Sequence, residues 1–233
     1  MARVTLENLY KIYPNGFVSV EDVSLIINDG EFFTFYGPHG CGKSAILRMI
    51  GGLEEITSGK VFFDEDLIND MLPPNRPLAM AFQNYVLYSH FNVYDNISLG
   101  LRLRNIPKQI IEDRVNDATD FLGIPKILSE KVKTLSPAAR QKVALSRALV
   151  CRPAVLLVDE DFAQQDPNCR KDMITDIRKI NKQLGITILY VTNDYQEAIS
   201  VGDRVAFMEE GKIIKIESTT DQQMTTSIYR RFL

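Results

Sequence analysis

The chain has 233 residues, 45% of them hydrophobic and 24% charged, enough to bury a core and ordinary for a soluble globular protein. A formal net charge of −3 gives no electrostatic basis for nucleic acid as the main partner, and no apolar run approaches the roughly 18 residues of a spanning helix. The three cysteines (Cys41, Cys151, Cys169) lack paired metal spacing and residues 1–15 hold no signal-peptide core, so a reduced cytoplasmic setting is expected, with any membrane role coming through a partner.

In chain order, β-rich runs come first: Val18 to Val20, Val23 to Ile27 and Glu31 to Tyr36. A glycine-rich loop follows, opening onto a helix-like run from Ala45 to Ile50; strand character returns at Lys60 to Phe63 and at Leu78 to Phe82, which leads into Gln83. Apolar residues then recur at three- and four-residue steps over Asn96 to Leu103, Gln109 to Leu122 and Ala138 to Leu149, the pattern of helices. Strands are expected again at Ala154 to Val158, Ile186 to Val191, Arg204 to Met208 and Lys212 to Ile216, with a helix over Cys169 to Leu184 between the first two. The alternation predicts an α/β fold with a largely parallel central sheet. It reads as a single domain over 1–233, an α/β core of about 1–83 and 151–233 interrupted by a helical insert of about 84–150.

Gly37-Pro38-His39-Gly40-Cys41-Gly42-Lys43-Ser44 fits G-x-x-x-x-G-K-[ST] without a gap, between a strand-like and a helix-like run. Glycines let the backbone wrap a polyphosphate with its N–H groups, and the helix N-terminus that follows favours anionic charge. Lys43 would reach the outer phosphates and the Ser44 hydroxyl would hold a magnesium ion. Further on, Val155 to Val158 form an apolar strand that delivers Asp159 and Glu160 at its C-terminal end, where ligands of open α/β sheets bind. Asp159 would hold the magnesium through water and Glu160 would polarise an attacking water, since metal and base act on opposite sides of the phosphorus.

Together with Tyr13, Gln83 in Ala81-Phe82-Gln83-Asn84-Tyr85, Val93-Tyr94-Asp95-Asn96-Ile97, Asp166, Val191-Thr192-Asn193-Asp194 and Gly202-Asp203-Arg204-Val205, these motifs make the chain resemble the ATPase subunits of ABC transporters, most of all those of maltose-type sugar importers. The match runs over nearly the whole chain. The resemblance implies a P-loop NTPase (RecA-like) core, an antiparallel β subdomain and a helical insert, with ATP and Mg2+ as cofactors. Tyr13 would stack on adenine, and Gly37, His39, Gly40, Cys41, Gly42, Lys43, Ser44 and Ala45 would surround the phosphates. Ser44, Gln83 and Asp159 would hold the metal, while Glu160, Gln83 and Asn193 would serve catalysis. The resemblance further implies a head-to-tail dimer of such domains, homo- or heterodimeric, beneath transmembrane permease subunits on the inner face of the membrane. An extracytoplasmic solute-binding protein would take part indirectly, and Ser136 and Asp166 would reach ATP across the dimer.

The chain departs from the family's pattern where the family does its chemistry. The signature, usually L-S-G-G-Q, is Leu135-Ser136-Pro137-Ala138-Ala139. Ser136 is a good N-cap, Pro137 suits the first helical position and the alanines favour helix, so the helix is kept. Pro137 has no N–H to give, however, and two methyl groups stand where glycines admit a phosphate. Asn193 replaces the switch histidine; it either donates a shorter hydrogen bond without becoming a cation near neutral pH or is a turn residue after its strand. Asp161 replaces a proline and either adds negative charge near the nucleotide or faces solvent. In the phosphate loop, Ala45 loses a hydroxyl, and His39 replaces a small serine, either pairing with phosphate or obstructing the partner's loop around Asp166, here Ala163-Gln164-Gln165-Asp166.

Hydrolysis is therefore expected to be weak or absent in a homodimer, where both sites carry the same changes. The alternatives are a non-hydrolysing regulatory or structural module and an active-site-altered variant of a transport ATPase. The stretch Ser227 to Leu233 resembles the point where maltose-type subunits continue into a regulatory β-domain, which is expected to be absent. Tyr85, Tyr88 and Phe91 either receive a membrane subunit or pack between subdomains.

Overall fold

The computed structural model describes residues 2–81, 87–159 and 167–219. Two sheets form. The smaller is antiparallel, in the order β2-β1-β4-β5, from β1 (Val4–Ile12), β2 (Val18–Ile27), β4 (Ser58–Phe63) and β5 (Asp66–Leu67). The larger has six strands in the order β10-β9-β3-β8-β7-β6, from β3 (Phe32–Tyr36), β6 (Leu78–Ala81), β7 (Val155–Val158), β8 (Thr187–Thr192), β9 (Arg204–Glu209) and β10 (Lys212–Ser218). Five of its strands run parallel, and β10 closes the edge antiparallel to β9. The helices are α1 (Lys43–Gly51), α2 (Val93–Leu103), α3 (Lys108–Phe121), α4 (Pro137–Leu149), α5 (Pro167–Leu184) and α6 (Tyr195–Val201).

Strands β3, β7 and β8 are buried along their whole length, the signature of a parallel sheet covered on both faces. Because side chains alternate across a strand, each of these strands feeds two cores. Phe32, Leu156, Val158, Ile188 and Tyr190 pack with the apolar faces of α2 to α5. Phe33, Phe35, Val155, Leu157, Leu189 and Val191 pack with Ile46, Leu47 and Ile50 of α1 and with the antiparallel sheet. Helix α1 thus lies between the sheets, with its N-terminus at the C-terminal edge of β3.

Strands β1 and β2 depart from the sequence pattern. β1 has no clean alternation because Asn8 takes a positive φ of 46° and the register against β2 shifts between Leu6 and Leu9. β2 is a single strand through Glu21-Asp22, where the sequence suggests a break; Asp22 has φ 51° and accepts a 2.8 Å hydrogen bond from Asn8 Nδ2. The segments Val18 to Val20, Val23 to Ile27 and Lys60 to Phe63 belong to the antiparallel sheet, not the parallel one. Helix α6 is also absent from the sequence reading; it is short and capped by Asp194, which accepts from the Glu197 N–H.

The far end of α1 is fixed by Arg76, which is 5% exposed. Its Nη1 donates to the carbonyls of Met49 and Ile50 at 2.9 and 2.6 Å, and its Nε donates to Met71 at 2.9 Å. A cation on the last carbonyls of a helix satisfies orphan acceptors and complements the helix dipole. Replacing Arg76 by alanine is expected to lower stability by about 2–4 kcal/mol, read as a reduced urea midpoint at unchanged slope, with Arg76→Lys recovering part of the loss.

Candidate functional site

Three loops meet at the C-terminal edge of the parallel strands: residues 37–42 after β3, Asp159 after β7, and Asn193-Asp194 after β8. The first is held by close backbone approaches. A Cβ on Gly37 would collide with the Met208 carbonyl of β9, and one on Gly42 would collide with the Ser19 carbonyl of β2. Gly42 also has φ 100° and Gly40 has φ 79°, both in the left-handed region that favours glycine. A Cβ on Gly40 would meet nothing, so that part of the loop opens outward. Cys41 is buried, and its carbonyl accepts from the Gly211 N–H at 3.2 Å.

Lys43 begins α1 and is 6% exposed. Its ammonium donates to the carbonyls of Gly37 at 2.6 Å and Pro38 at 2.7 Å and lies 3.6 Å from the Cys41 sulfur. The next residue, Ser44, donates its hydroxyl to Asp159 Oδ1 at 2.7 Å. Arg48, one turn further along α1, lies 3.9 Å from Asp159 Oδ2. His39, Gly40, Gly42, Lys43, Ser44, Ala45 and Arg48 line a cavity of about 260 Å³ with Tyr13, Phe17, Ser19 and Asn193. The Tyr13 and Phe17 rings stack 6.1 Å apart at 20°, and Lys11 Nζ lies 5.1 Å from the Tyr13 ring centre. The Glu54 carboxylate hydrogen-bonded to Tyr13, with burial second, pushes the phenol pKa up.

The loop after β8 is braced from behind. Glu197 of α6 takes two bonds from Arg170 of α5, at 2.7 and 2.8 Å, and one from the Thr192 hydroxyl at 2.6 Å. The Asp194 N–H donates to Thr192 Oγ1 at 3.0 Å, and the Glu197 N–H donates to Asp194 Oδ1 at 3.0 Å. Asn193 sits exposed between these anchors with its amide 2.6 Å from His39 Nε2.

The structure thus brings together Tyr13, His39, Gly40, Gly42, Lys43, Ser44, Ala45 and Asn193 around the cavity, with Asp159 joined to them through Ser44 and with Gly37 and Cys41 beside the Lys43 ammonium. Ser136 is not among the lining residues. It caps α4 as expected, its hydroxyl accepting from the Ala139 N–H at 3.2 Å, with Pro137 at the first helical position. Gln83, Tyr85, Glu160, Asp161 and Asp166 lie outside the described residues, as does the stretch from Ser227 to Leu233. Tyr88 is 42% exposed and Phe91 is half-buried, their ring centres 5.6 Å apart.

Sequence reasoning missed Phe17, Ser19, Arg48, Arg170 and Glu197. Asp194-x-x-Glu197 is a capping-box spacing and could have revealed α6 and its glutamate. Arg48 and Arg170 act through partners far away in sequence and leave no local signal, whereas Phe17 stacks on Tyr13 four residues before it.

These residues fit a nucleoside polyphosphate. The buried ammonium, the open glycine loop and the α1 N-terminus form an anion cradle, and the Tyr13–Phe17 pair offers a platform for a planar base. Ser44 and Asp159 form a pair of hard oxygen donors suited to magnesium. Among the described residues no group of three or more His, Cys, Asp or Glu could hold a metal by itself.

A family model described as ABC transporter matches residues 20–163. The sn-glycerol-3-phosphate import ATP-binding protein UgpC of Psychromonas ingrahamii is 45% identical over 216 residues, 93% of this chain and 58% of that protein. The oligosaccharides import ATP-binding protein MsmX of Bacillus subtilis is 44% identical over 221 residues, 95% of this chain and 60% of that protein. The chain therefore spans about 60% of the length of these curated relatives. Among solved structures, cbiO1 from Clostridium perfringens, part of an ABC transporter complex, superposes with a TM-score of 0.86 at 27% identity, covering 98% of this chain and 93% of that one. A dimeric ATP-binding cassette in a post-hydrolysis state with ADP and phosphate gives 0.78 at 27% identity, covering 93% of this chain and 98% of that one.

Removing Arg170 leaves the buried Glu197 carboxylate without its ion pair, so Arg170→Ala is expected to cost about 3 kcal/mol and to raise amide exchange at Thr192 to Asp194. Adding Glu197→Gln should recover much of that loss in a double-mutant cycle.

Proposed function

The chain belongs to the ABC transporter family, and from that premise we propose that it is the ATP- and magnesium-binding subunit of an importer-type ABC system. In this reading residues 1–233 make one nucleotide-binding domain with a helical insert at about 84–150. The observation that carries it is the Ser44–Asp159 hydrogen bond of 2.7 Å beside the buried Lys43 ammonium, which supports a joint role for these residues as metal donors and phosphate cradle at the C-terminal edge of the parallel strands. The relatives that are importer ATP-binding proteins for oligosaccharides or glycerol phosphate support a sugar- or phosphoester-type system, although the solute would be read by other subunits. The partners are a second ABC domain, transmembrane permease subunits and, indirectly, an extracytoplasmic solute-binding protein. In this reading the chain attaches to the inner face of the membrane through those permeases; no helix among the described residues is long and apolar enough to cross a membrane.

When bound, ATP supplies the phosphoanhydride whose binding and cleavage drive such a system. Lys43 and the α1 N-terminus neutralise phosphate charge, Ser44 and Asp159 hold the metal, and the Tyr13–Phe17 platform carries the base. Glu160 would polarise the attacking water, with Gln83 and Asn193 contributing polar contacts and Ser136 and Asp166 acting across the dimer. Turnover is impaired in this proposal. Pro137 offers no N–H, and Ala138 and Ala139 crowd the approach to the helix N-terminus. The same geometry favours a second reading, a nucleotide-holding module that regulates a partner without hydrolysis.

Magnesium-dependent ATP binding and steady-state hydrolysis by the purified chain decide between them. Binding is expected to fall at least about 100-fold in Lys43→Ala, with slow or no turnover by the parent chain. Restoring Pro137→Gly, Ala138→Gly, Ala139→Gln and Asn193→His is expected to raise turnover by about 100- to 1,000-fold. Brisk turnover by the parent chain would sink the impaired-site proposal, no turnover in the restored chain would leave the regulatory reading, and Lys43-independent binding would sink both.

A further inference from the structure

A second cavity lies at the opposite edge of the large sheet from the phosphate loop. Its volume is about 650 Å³, against about 260 Å³ at the loop, and falls within the range of small-molecule sites. It is walled by α3, by the link from α4 to β7 and by the end of α5. Val150 and Pro153 precede β7 and Ile186 precedes β8, so the cavity sits where these strands begin, whereas Asp159 and Asn193 follow their ends. The six residues of β8 put about 20 Å between the two places, so a small ligand here would not reach the phosphate loop. The walls are fixed from behind. The Phe121 carbonyl at the end of α3 accepts from Lys179 Nζ at 2.7 Å, and that ammonium lies 4.4 Å from the Phe121 ring centre. The buried Asn181 amide donates to the Ile186 carbonyl at 3.0 Å.

The chemistry of the lining says what would enter. Phe121, Leu149, Pro153, Leu184 and Ile186 give it an apolar surface, and Arg114, Arg152, Asp117 and Asp120 bring charge. Arg152 Nη2 pairs with Asp117 Oδ2 at 3.7 Å, both side chains largely exposed. Arg114 is half-buried and pairs with no carboxylate among the described residues. Its Nη1 reaches the Val150 carbonyl only at 3.5 Å, the outer limit of a hydrogen bond, and its buried Nε finds no acceptor. A guanidinium in that state gains from an anion, and its planar fork matches the two oxygens of a carboxylate. The two positive and two negative side chains cancel, so a singly charged anion suits the cavity better than a doubly charged one. With no His, Cys, Ser, Thr or Lys among the described lining residues, the cavity offers binding and not nucleophilic chemistry. We propose that it binds a small organic carboxylate with an apolar body, the carboxylate on Arg114 and the body against Phe121, Leu149 and Ile186. The inference uses no residue of the phosphate loop and is independent of the nucleotide reading.

Titration of the purified chain with phenylbutyrate, indolepropionate and octanoate, followed by calorimetry and by amide spectra, tests this. At least one acid is expected to bind with a Kd below about 1 mM, moving the amide signals of Ala118, Phe121 and Val150 and not those of Ser44 and Asn193. The alcohol with the same carbon skeleton should bind at least about 10-fold more weakly. Arg114→Met, which keeps length and packing without the charge, should bring the acid down to the level of the alcohol. Leu184→Trp, at a position 43% exposed, should weaken acid and alcohol alike by filling the cavity. The acid-to-alcohol comparison uses the parent chain alone and stands even where a variant fails to fold. The inference is overturned by any of five results: no binding of the three acids, equal binding of acid and alcohol, undiminished acid binding in Arg114→Met, tighter binding of phenyl phosphate than of the acids, or signal changes confined to the phosphate loop.

Discussion

Lys43 holds its charge beneath a loop of backbone, and its hydrogen-bond partners among the described residues are carbonyl oxygens with the Cys41 sulfur beside them. Taking an ammonium ion out of water costs several kcal/mol, and neutral dipoles offset only part of that. The loop is therefore organised around an unmet need for an anion. The close packing of Gly37 on Met208 and Gly42 on Ser19 keeps the loop from collapsing to meet that need in another way. Helix α1 is then held in line with the cradle by Arg76 at its other end.

The opposite wall depends on a second buried charge, treated differently. Glu197 is 7% exposed and has its cation, Arg170, together with a hydroxyl from Thr192. A satisfied network of this kind fixes geometry more than it adds net stability. Its product is a stiff turn carrying Asn193, set against a phosphate loop whose charge is only partly met. One wall is internally satisfied, and the other keeps a buried charge met by neutral dipoles.

The phosphate loop was legible in the sequence because its requirements are local: glycines for positive φ and close approach, a lysine and a serine at a fixed offset from a helix start. The parallel strands were legible because burial on both faces forces a continuous apolar run. The alternation of β1 was hidden by the left-handed Asn8, a conformation that sequence period cannot register. Arg48 and Arg170 were invisible because each finds its carboxylate through the fold, across 111 residues (159 − 48) for Arg48 and 27 for Arg170. For Gly37 the structure adds what the motif does not spell out: its lack of a side chain allows contact with β9, and its carbonyl accepts from Lys43.

The large sheet acts as a party wall. In β3, β7 and β8 Phe33, Phe35, Val155, Leu157, Leu189 and Val191 answer to the phosphate-cradle core, and Phe32, Leu156, Val158, Ile188 and Tyr190 to the helical core. Inserting or deleting one residue in any of these strands would send each side chain beyond it to the wrong room, disturbing two cores at once. Substitutions obey a gentler rule, because a change on the helical face is felt first among the helices and only through the backbone at the cradle. The helical side can therefore drift or be redesigned while the cradle side keeps its shape, so the two faces of one wall can change at different rates.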